Sequence, residues 1–304
     1  MSFLKANAIR IAGFLACAGF LVFLTIVAVF SNISGNIELG NTDKLAQTLK
    51  ETMINRSYSM KISFRANVLD TGVAYFLADE LSEKAFCNFN DPKAGDYLRF
   101  QYGGFSIIHN ETRDFKGYIY EIEIIPDYYT DKEKEDKTDE AVNAFLEEAE
   151  KSGIKKASDF EKILYVHDFI KNNVSYDIVH KTHEGSGHLR STAYGALVLH
   201  TATCQGYAVL AYRLLKELSV DNRVITGDAY SEDAWEHHAW NIVCVDGLYY
   251  NLDVTMDDTL DTYDYFLTAD KDISKDHIRD EKYDDEDFRM EYPMTKESYV
   301  FDSN

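Results

Sequence analysis

From Val209 onward the apolar residues Val209, Leu210, Tyr212, Leu214, Leu215 and Leu218 recur at helical spacing, which predicts a helix driven into a core. Cys204 stands in the first turn of that helix, in the run Thr203-Cys204-Gln205-Gly206-Tyr207-Ala208. Further along the period changes. His238-Ala239-Trp240-Asn241 opens an apolar run ending at Val245, Asp246-Gly247 is a two-residue hairpin signal, and Leu248 to Val254 reads as the returning strand. Pairing Val245 with Leu248 sets Asp253 opposite Trp240 and makes His238 and Asp253 diagonal neighbours on one face. A register shift of two residues keeps them on that face, and only a one-residue slip separates them. His237 points to the other face and reads as a rim or structural residue.

Upstream, Leu45, Leu49 and Met53 are four residues apart and predict a short amphipathic helix over Asn41 to Asn55. Met60 to Val68 alternates like a strand, Gly72 to Phe86 is helix-like, and Tyr97 to Ile108 and Tyr118 to Ile125 read as strands, the latter ending at Pro126. Together they predict a small α/β layer. Asp127 to Asp139 is charged and lacks apolar periodicity, so it is expected to be a solvated linker. Thr138 to Ser152 then reads as a helix, and Ser158, with Glu161 at capping-box distance, starts another. Asp253 to Asp264 is expected to be a surface turn, and the charge run Asp270 to Asp287 a solvated surface.

The N-terminus has a third pattern. Lys5 and Arg10 precede Ile11 to Phe30, an uncharged stretch as long as a bilayer core is thick. A signal-peptide core is shorter, and no good small-x-small cleavage site follows. The expectation is an uncleaved single-pass anchor over residues 11–32, with residues 1–10 in the cytoplasm and the rest outside.

Charge and cysteine usage narrow the partners. The 52 acidic residues outnumber the 31 basic ones, and the net charge of −21 disfavours nucleic acid. Of the four cysteines, Cys17 falls in the anchor, leaving Cys87, Cys204 and Cys244, an odd set that argues against a disulfide framework. His180, His183 and His188 occupy a polar, glycine-containing stretch without a metal-ligand pattern, so a loop over a cleft is expected and neither metal nor cofactor.

A thiol at a helix N-terminus meets unpaired N–H groups and the positive end of the dipole, which favour thiolate. Gly206 is expected to let another chain or a substrate approach the sulfur. With His238 as base and Asp253 as the group orienting it, Cys204 completes a nucleophile–base–carboxylate set. The three runs Cys204-Gln205-Gly206-Tyr207-Ala208, His238-Ala239-Trp240-Asn241 and Asn251-Leu252-Asp253-Val254-Thr255 resemble the signature blocks of the transglutaminase-like superfamily. Asp159 to Asp177, Thr192 to Leu199 and Tyr263 to His277 resemble flanking segments of its bacterial members. The resemblance implies an α+β, papain-like transglutaminase core, with N-terminal helices packed on an antiparallel sheet. To this the chain adds an N-terminal transmembrane helix and a small α/β region.

The resemblance also implies catalysis by Cys204, His238 and Asp253 on protein or peptide amide bonds through a thioester, as acyltransferase, peptidase or amidase. The expected arrangement is an extracytoplasmic α/β region over residues 33–137 and a catalytic domain over 138–304. The backbone N–H of Cys204 would help hold the oxyanion, with Tyr194 a weak candidate for the second donor. Hydrolysis and crosslinking stay open, as does oligomeric state. The alternative is a catalytically silent member that serves as a binding or scaffold module at the cell surface.

Overall fold

The computed structural model describes residues 42–300 apart from 68, 71, 88, 89, 178–186 and 232. The expected anchor, Cys17, His180 and His183 lie outside the described residues. Among the described residues no helix is long and apolar enough to cross a membrane. The chain divides into two compact units.

One unit holds the described residues up to Cys87 together with Gly104–Asp127. It is built from α1 (Thr42–Ile54), β1 (Met60–Ala66), α2 (Val73–Phe86), β2 (Tyr102–Asp114) and β3 (Gly117–Tyr128), with sheet order β1-β3-β2. The alternation in β1 buries Met60, Ile62, Phe64 and Ala66, and the four-residue spacing in α1 buries Leu45, Leu49 and Met53. Phe64 stacks on its cross-strand partner Tyr120 at 4.9 Å. Strand β3 runs through Pro126 instead of stopping there. Its pairing with β1 ends at Ile124, so no neighbour on that side needs an N–H from the proline.

The second unit holds the described residues of 88–103 and those from Tyr128 onward. It begins with α3 (Asp96–Arg99), where a strand had been expected to start. The buried Asp96 accepts from Arg223 Nε at 2.7 Å and Val224 N at 2.9 Å, and a helical turn delivers that carboxylate where an extended segment is not used. Next comes α4 (Lys132–Lys151), which replaces the expected linker over its first two turns. Asp131 caps it through Lys134 N at 2.9 Å, and Lys132–Asp136 and Glu133–Lys137 pair at helical spacing. Its inward face is polar there, because buried Glu135 accepts from Tyr97 Oη at 2.9 Å. That is why apolar periodicity failed to mark it.

Helix α5 (Asp159–Asn173) starts with the expected capping box: Ser158 N donates to Glu161 Oε2 at 2.8 Å and Glu161 N to Ser158 Oγ at 3.3 Å. Short elements follow: β4 (Ser175–Tyr176), α6 (Gly187–Arg190), α7 (Ala193–Leu197) and β5 (Thr201–Ala202), with β4 and β5 parallel. Then come α8 (Cys204–Glu217), β6 (Asn222–Ser231), β7 (Ala234–Val245), β8 (Leu248–Leu252), α9 (Val254–Thr259), α10 (Asp270–Ile273), β9 (His277–Arg279) and α11 (Glu286–Glu291). Strands β8-β7-β6-β9 form an antiparallel sheet.

Inward alternation gives this sheet two apolar faces. Val224, Ala239, Val243 and Leu252 join the helical core with Leu210 and Leu214 of α8. Ile225, Trp240 and Ile242 face the other way and are covered by Tyr265, Ile273, Tyr283, Phe288 and Tyr292. The charge run 270–287 is largely exposed, as its composition suggests, but Ile273, His277 and Tyr283 are buried and anchor it to the sheet. Its aromatic residues go inward while Asp284, Asp285 and Glu286 stay out.

Candidate active site

Thr203 precedes α8 in an extended conformation and makes no side-chain cap hydrogen bond, so Cys204 is the first residue of a helix whose leading N–H groups have no intrahelical acceptor. Gly206 serves the chain itself and not an incoming molecule. A Cβ there would stand 2.4 Å from Arg190 O and 2.8 Å from Ala202 Cβ, so the glycine lets the segment before α7 press against the helix start.

The hairpin closes in the expected register, Val245 with Leu248 and Asn241 with Leu252. The ladder then stops, and Asp253 is the N-cap of α9 instead of a strand residue. Its Oδ1 accepts from Thr255 N at 3.0 Å and Met256 N at 3.1 Å, which leaves Oδ2 for His238 Nε2 at 2.7 Å. Asn241, two strand positions beyond Ala239, donates to Ala208 O at 3.0 Å and ties β7 to α8. The strand carrying the histidine and the helix carrying the thiol are thus fixed to each other. The His238 side chain lies close enough to Cys204 to act on its thiol.

His238 and Asp253 are buried, while Cys204 is partly open to a cleft of about 850 Å³. Lys171, Asn173, Tyr176, His200, Glu236 and His237 help line that cleft. His237, exposed as expected, stands at its rim. Tyr194 is not among the lining residues. His188 sits on α6 and stacks on Tyr129 at 4.5 Å.

The charges are mutually reinforcing. Burial pushes the Cys204 thiol up, but the hydrogen bond and charge of His238, with the Ala239 backbone, bring it below the ordinary thiol range. Burial also opposes the imidazolium of His238, yet the Asp253 carboxylate and the Cys204 sulfur raise it to about 10. Burial favours neutral Asp253, and the two histidines beside it overcome that and hold it well below the usual carboxylate range. Because the carboxylate is ionised, the ring nitrogen of His238 facing it donates, and Nδ1 is left for the thiol.

The second histidine is His277, which lies in the tail expected to be solvated. Its Nε2 lies 3.0 Å from Asp253 Oδ2, and its Nδ1 lies 2.7 Å from Asp276 Oδ1. The ligand atoms of His238, Asp253 and His277 lie within 4.8 Å of one another, a spacing a metal could use. Each of these atoms already has a hydrogen-bond partner within the cluster, so the donor set is satisfied without an ion. A similar buried pair, His167 Nε2 with Asp257 Oδ2 at 3.1 Å, binds α5 to α9 but does not line the cleft.

Residues 129–254 match the Transglutaminase-like superfamily. The likeness to that superfamily is confined to these residues. Cys204, His238 and Asp253 fall inside the match, and His277 lies beyond its end. Among curated proteins none matches the chain. Among solved structures, a chain described as a TGase shares 17% identity and has a TM-score of 0.35, with 65% of this chain and 51% of that one covered. A chain from Cytophaga hutchinsonii, provisionally named a cysteine protease, shares 17% identity with a TM-score of 0.31, and the match covers 51% of this chain and 65% of that one. The chain thus spans about half the length of the first.

Proposed function

We propose that the protein is a membrane-anchored cysteine enzyme that acts on protein or peptide amide bonds through a thioester on Cys204. The observation carrying this reading is that His238, hydrogen-bonded to Asp253 at 2.7 Å, lies beside Cys204, and that the cysteine lines an open cleft. In the resting state the proton resides on His238 and the thiolate on Cys204. The thiolate attacks an amide carbon, its sulfur forming the new bond while the carbonyl electrons move to oxygen. N–H groups at the start of α8 are available to that oxyanion. On collapse the C–N bond breaks and His238 donates its proton to the departing ammonia or amine, leaving the thioester and a neutral imidazole. His238 then takes a proton from water or an amine, which attacks the thioester and restores the thiolate and the imidazolium. Asp253 keeps the ring in the tautomer these transfers need.

Every group in that cycle comes from the chain, so no cofactor is invoked. The net charge of −21 supports a protein or peptide partner over nucleic acid. Residues 11–32 would hold the chain in the cell membrane with the catalytic part outside.

The test is to incubate the full chain with a glutamine-rich protein such as casein, with and without a biotinylated primary amine. Acid-quenched enzyme is then examined for an acyl adduct at Cys204. Adduct formation, with ammonia release or peptide cleavage lost in Cys204→Ala, is expected. Absence of adduct, with Cys204→Ala giving the same product levels, would overturn the reading. Amine incorporation against plain hydrolysis distinguishes transferase from hydrolase. Retention in membranes after alkaline carbonate washing tests the anchor, and release would contradict it.

A further inference from the structure

We propose that His277, delivered by β9 from beyond the family match, is a positioning residue for the Cys204 site: it donates to the same Asp253 oxygen that holds His238, and so fixes the carboxylate and, through it, the base. The proposal rests on the triad reading above and deepens it.

The geometry has no slack along this line. Asp253 Oδ2 is shared by His238 Nε2 at 2.7 Å and His277 Nε2 at 3.0 Å, while Oδ1 is held by the start of α9. Behind His277 stands Asp276, whose Oδ2 accepts from Tyr265 Oη at 2.7 Å and whose backbone oxygen accepts from Tyr230 N at 2.8 Å. His277 is buried, with its ring edge-on to Trp240 at 5.2 Å and 5.5 Å from that of His238. A histidine that merely filled this apolar layer would not need a carboxylate at each ring nitrogen. Strand β9 reaches this depth because β6 has Gly227 where they cross. A Cβ there would stand 2.0 Å from Ile278 O and 2.8 Å from Arg279 Cα. The glycine keeps open the gap through which His277 arrives opposite Ala229, next to the site.

The second donor has a chemical use. During the cycle His238 gives up its proton and takes it back, so its grip on Asp253 weakens and strengthens in turn. A carboxylate held by His238 alone on Oδ2 could rotate or follow the ring. With His277 on the same oxygen it stays put while the imidazole moves between thiol and leaving group. The ionisable groups facing Asp253 are His238 from β7, His277 from β9, Cys204 from α8, Asp257 from α9 and Tyr265 from the segment before α10. Removing His277 takes away one stabilising partner and leaves burial and Asp257 acting against the anion, so the Asp253 carboxyl moves to higher pH.

The test uses the full chain. Alkylation of Cys204 by iodoacetamide is followed by mass spectrometry from pH 4 to pH 9 in the parental protein and in His277→Phe, His277→Gln and Asp276→Asn, with a thermal melt of each. His277→Phe, similar in shape but without a donor, is expected to slow alkylation about tenfold and to move its acid limb to higher pH. His277→Gln keeps an N–H near the Nε2 position and is expected to stay within about threefold of the parent. Asp276→Asn is expected to move the acid limb in the same direction by less, and it decides the matter if His277→Phe does not fold. A parental rate and limb in His277→Phe, or equal losses in Phe and Gln, would overturn the proposal. So would an unmoved limb in Asp276→Asn. If the parental thiol itself behaves as an ordinary one, the triad reading fails instead. The His277–Asp253 contact is then judged by proton NMR: a downfield ring N–H signal lost in both His277→Gln and Asp253→Asn sustains it, and absence of that signal removes it.

Discussion

Replacing Asp253 by asparagine and by alanine separates what this residue does for the fold from what it does for the chemistry. Asp253 is 1% exposed and accepts hydrogen bonds from Thr255 N, Met256 N, His238 Nε2 and His277 Nε2. Asparagine is as good an N-cap as aspartate, so its oxygen can keep the two backbone bonds at the start of α9. Its amide nitrogen then faces the two rings and can only donate. His238 must turn its Nε2 lone pair to that amide and present Nδ1–H to Cys204, the wrong tautomer for an imidazolium–thiolate pair. The same tautomer error in a serine-protease triad costs ~10⁴-fold, and a loss of about 10³- to 10⁴-fold in turnover is expected here. Stability should fall by only about 1–2 kcal/mol, because most hydrogen bonds can be remade. Alanine loses the cap as well and leaves the Nε2 atoms of two buried rings without an acceptor, for about 3–5 kcal/mol. Urea denaturation gives the stabilities, and casein turnover together with Cys204 alkylation at pH 6 gives the chemistry. An asparagine variant as active as the parent would refute the tautomer reasoning, and an alanine variant as stable as the asparagine variant would refute the capping role.

Three further outcomes follow from the same contacts. His238 is raised from its ordinary value to about 10, so its charged form stabilises the fold fully below pH 6.5, and that contribution is lost as the pH climbs through about 10. The stability gap between the parent and His238→Gln, measured by urea titration, should therefore narrow between those limits, and a gap that widens there would give the wrong sign. Gly227→Ala should force β9 off β6, lower stability by about 1–3 kcal/mol and slow Cys204 alkylation as His277→Phe does; unchanged alkylation would detach β9 from the site. Glu161→Ala should cost about 1 kcal/mol through the lost capping box, with alkylation unaltered, since α5 starts far from the thiol in sequence and the cap touches only Ser158.

Local signals in the sequence are sufficient wherever neighbouring residues make the geometry. The Asp246-Gly247 turn sets the β7–β8 register, and the apolar spacing after Val209 marks α8, so Cys204, His238 and Asp253 can be placed from the sequence alone. The Ser158–Glu161 box is readable for the same reason. Asp253 falls on the expected face but in a different element, because extrapolating a strand cannot show where a side chain will cap the next helix. The first turns of α4 are hidden because their inward residues, Glu135 and Thr138, are polar: Glu135 accepts from Tyr97, distant in sequence, and Thr138 donates to Lys134 O. The anchors of the tail are hidden for a related reason. Its acidic residues dominate the composition, while Tyr265, Ile273, Tyr283 and Phe288 are too widely spaced to form a period and find the sheet only in three dimensions. His277 is hidden with it. The available hint is an Asp-His pair next to a short β-prone run, and that gains meaning only once Gly227 is seen to admit β9.

The most direct test of the central claim is the pH dependence of Cys204 alkylation in the full chain beside its His238→Ala variant, with the modified residue identified by mass spectrometry. An imidazolium–thiolate pair held by Asp253 predicts rapid modification persisting at pH 6, at least about tenfold faster than in the variant. Modification of both proteins that rises together only near pH 8.5, the ordinary range of a free thiol, would contradict it.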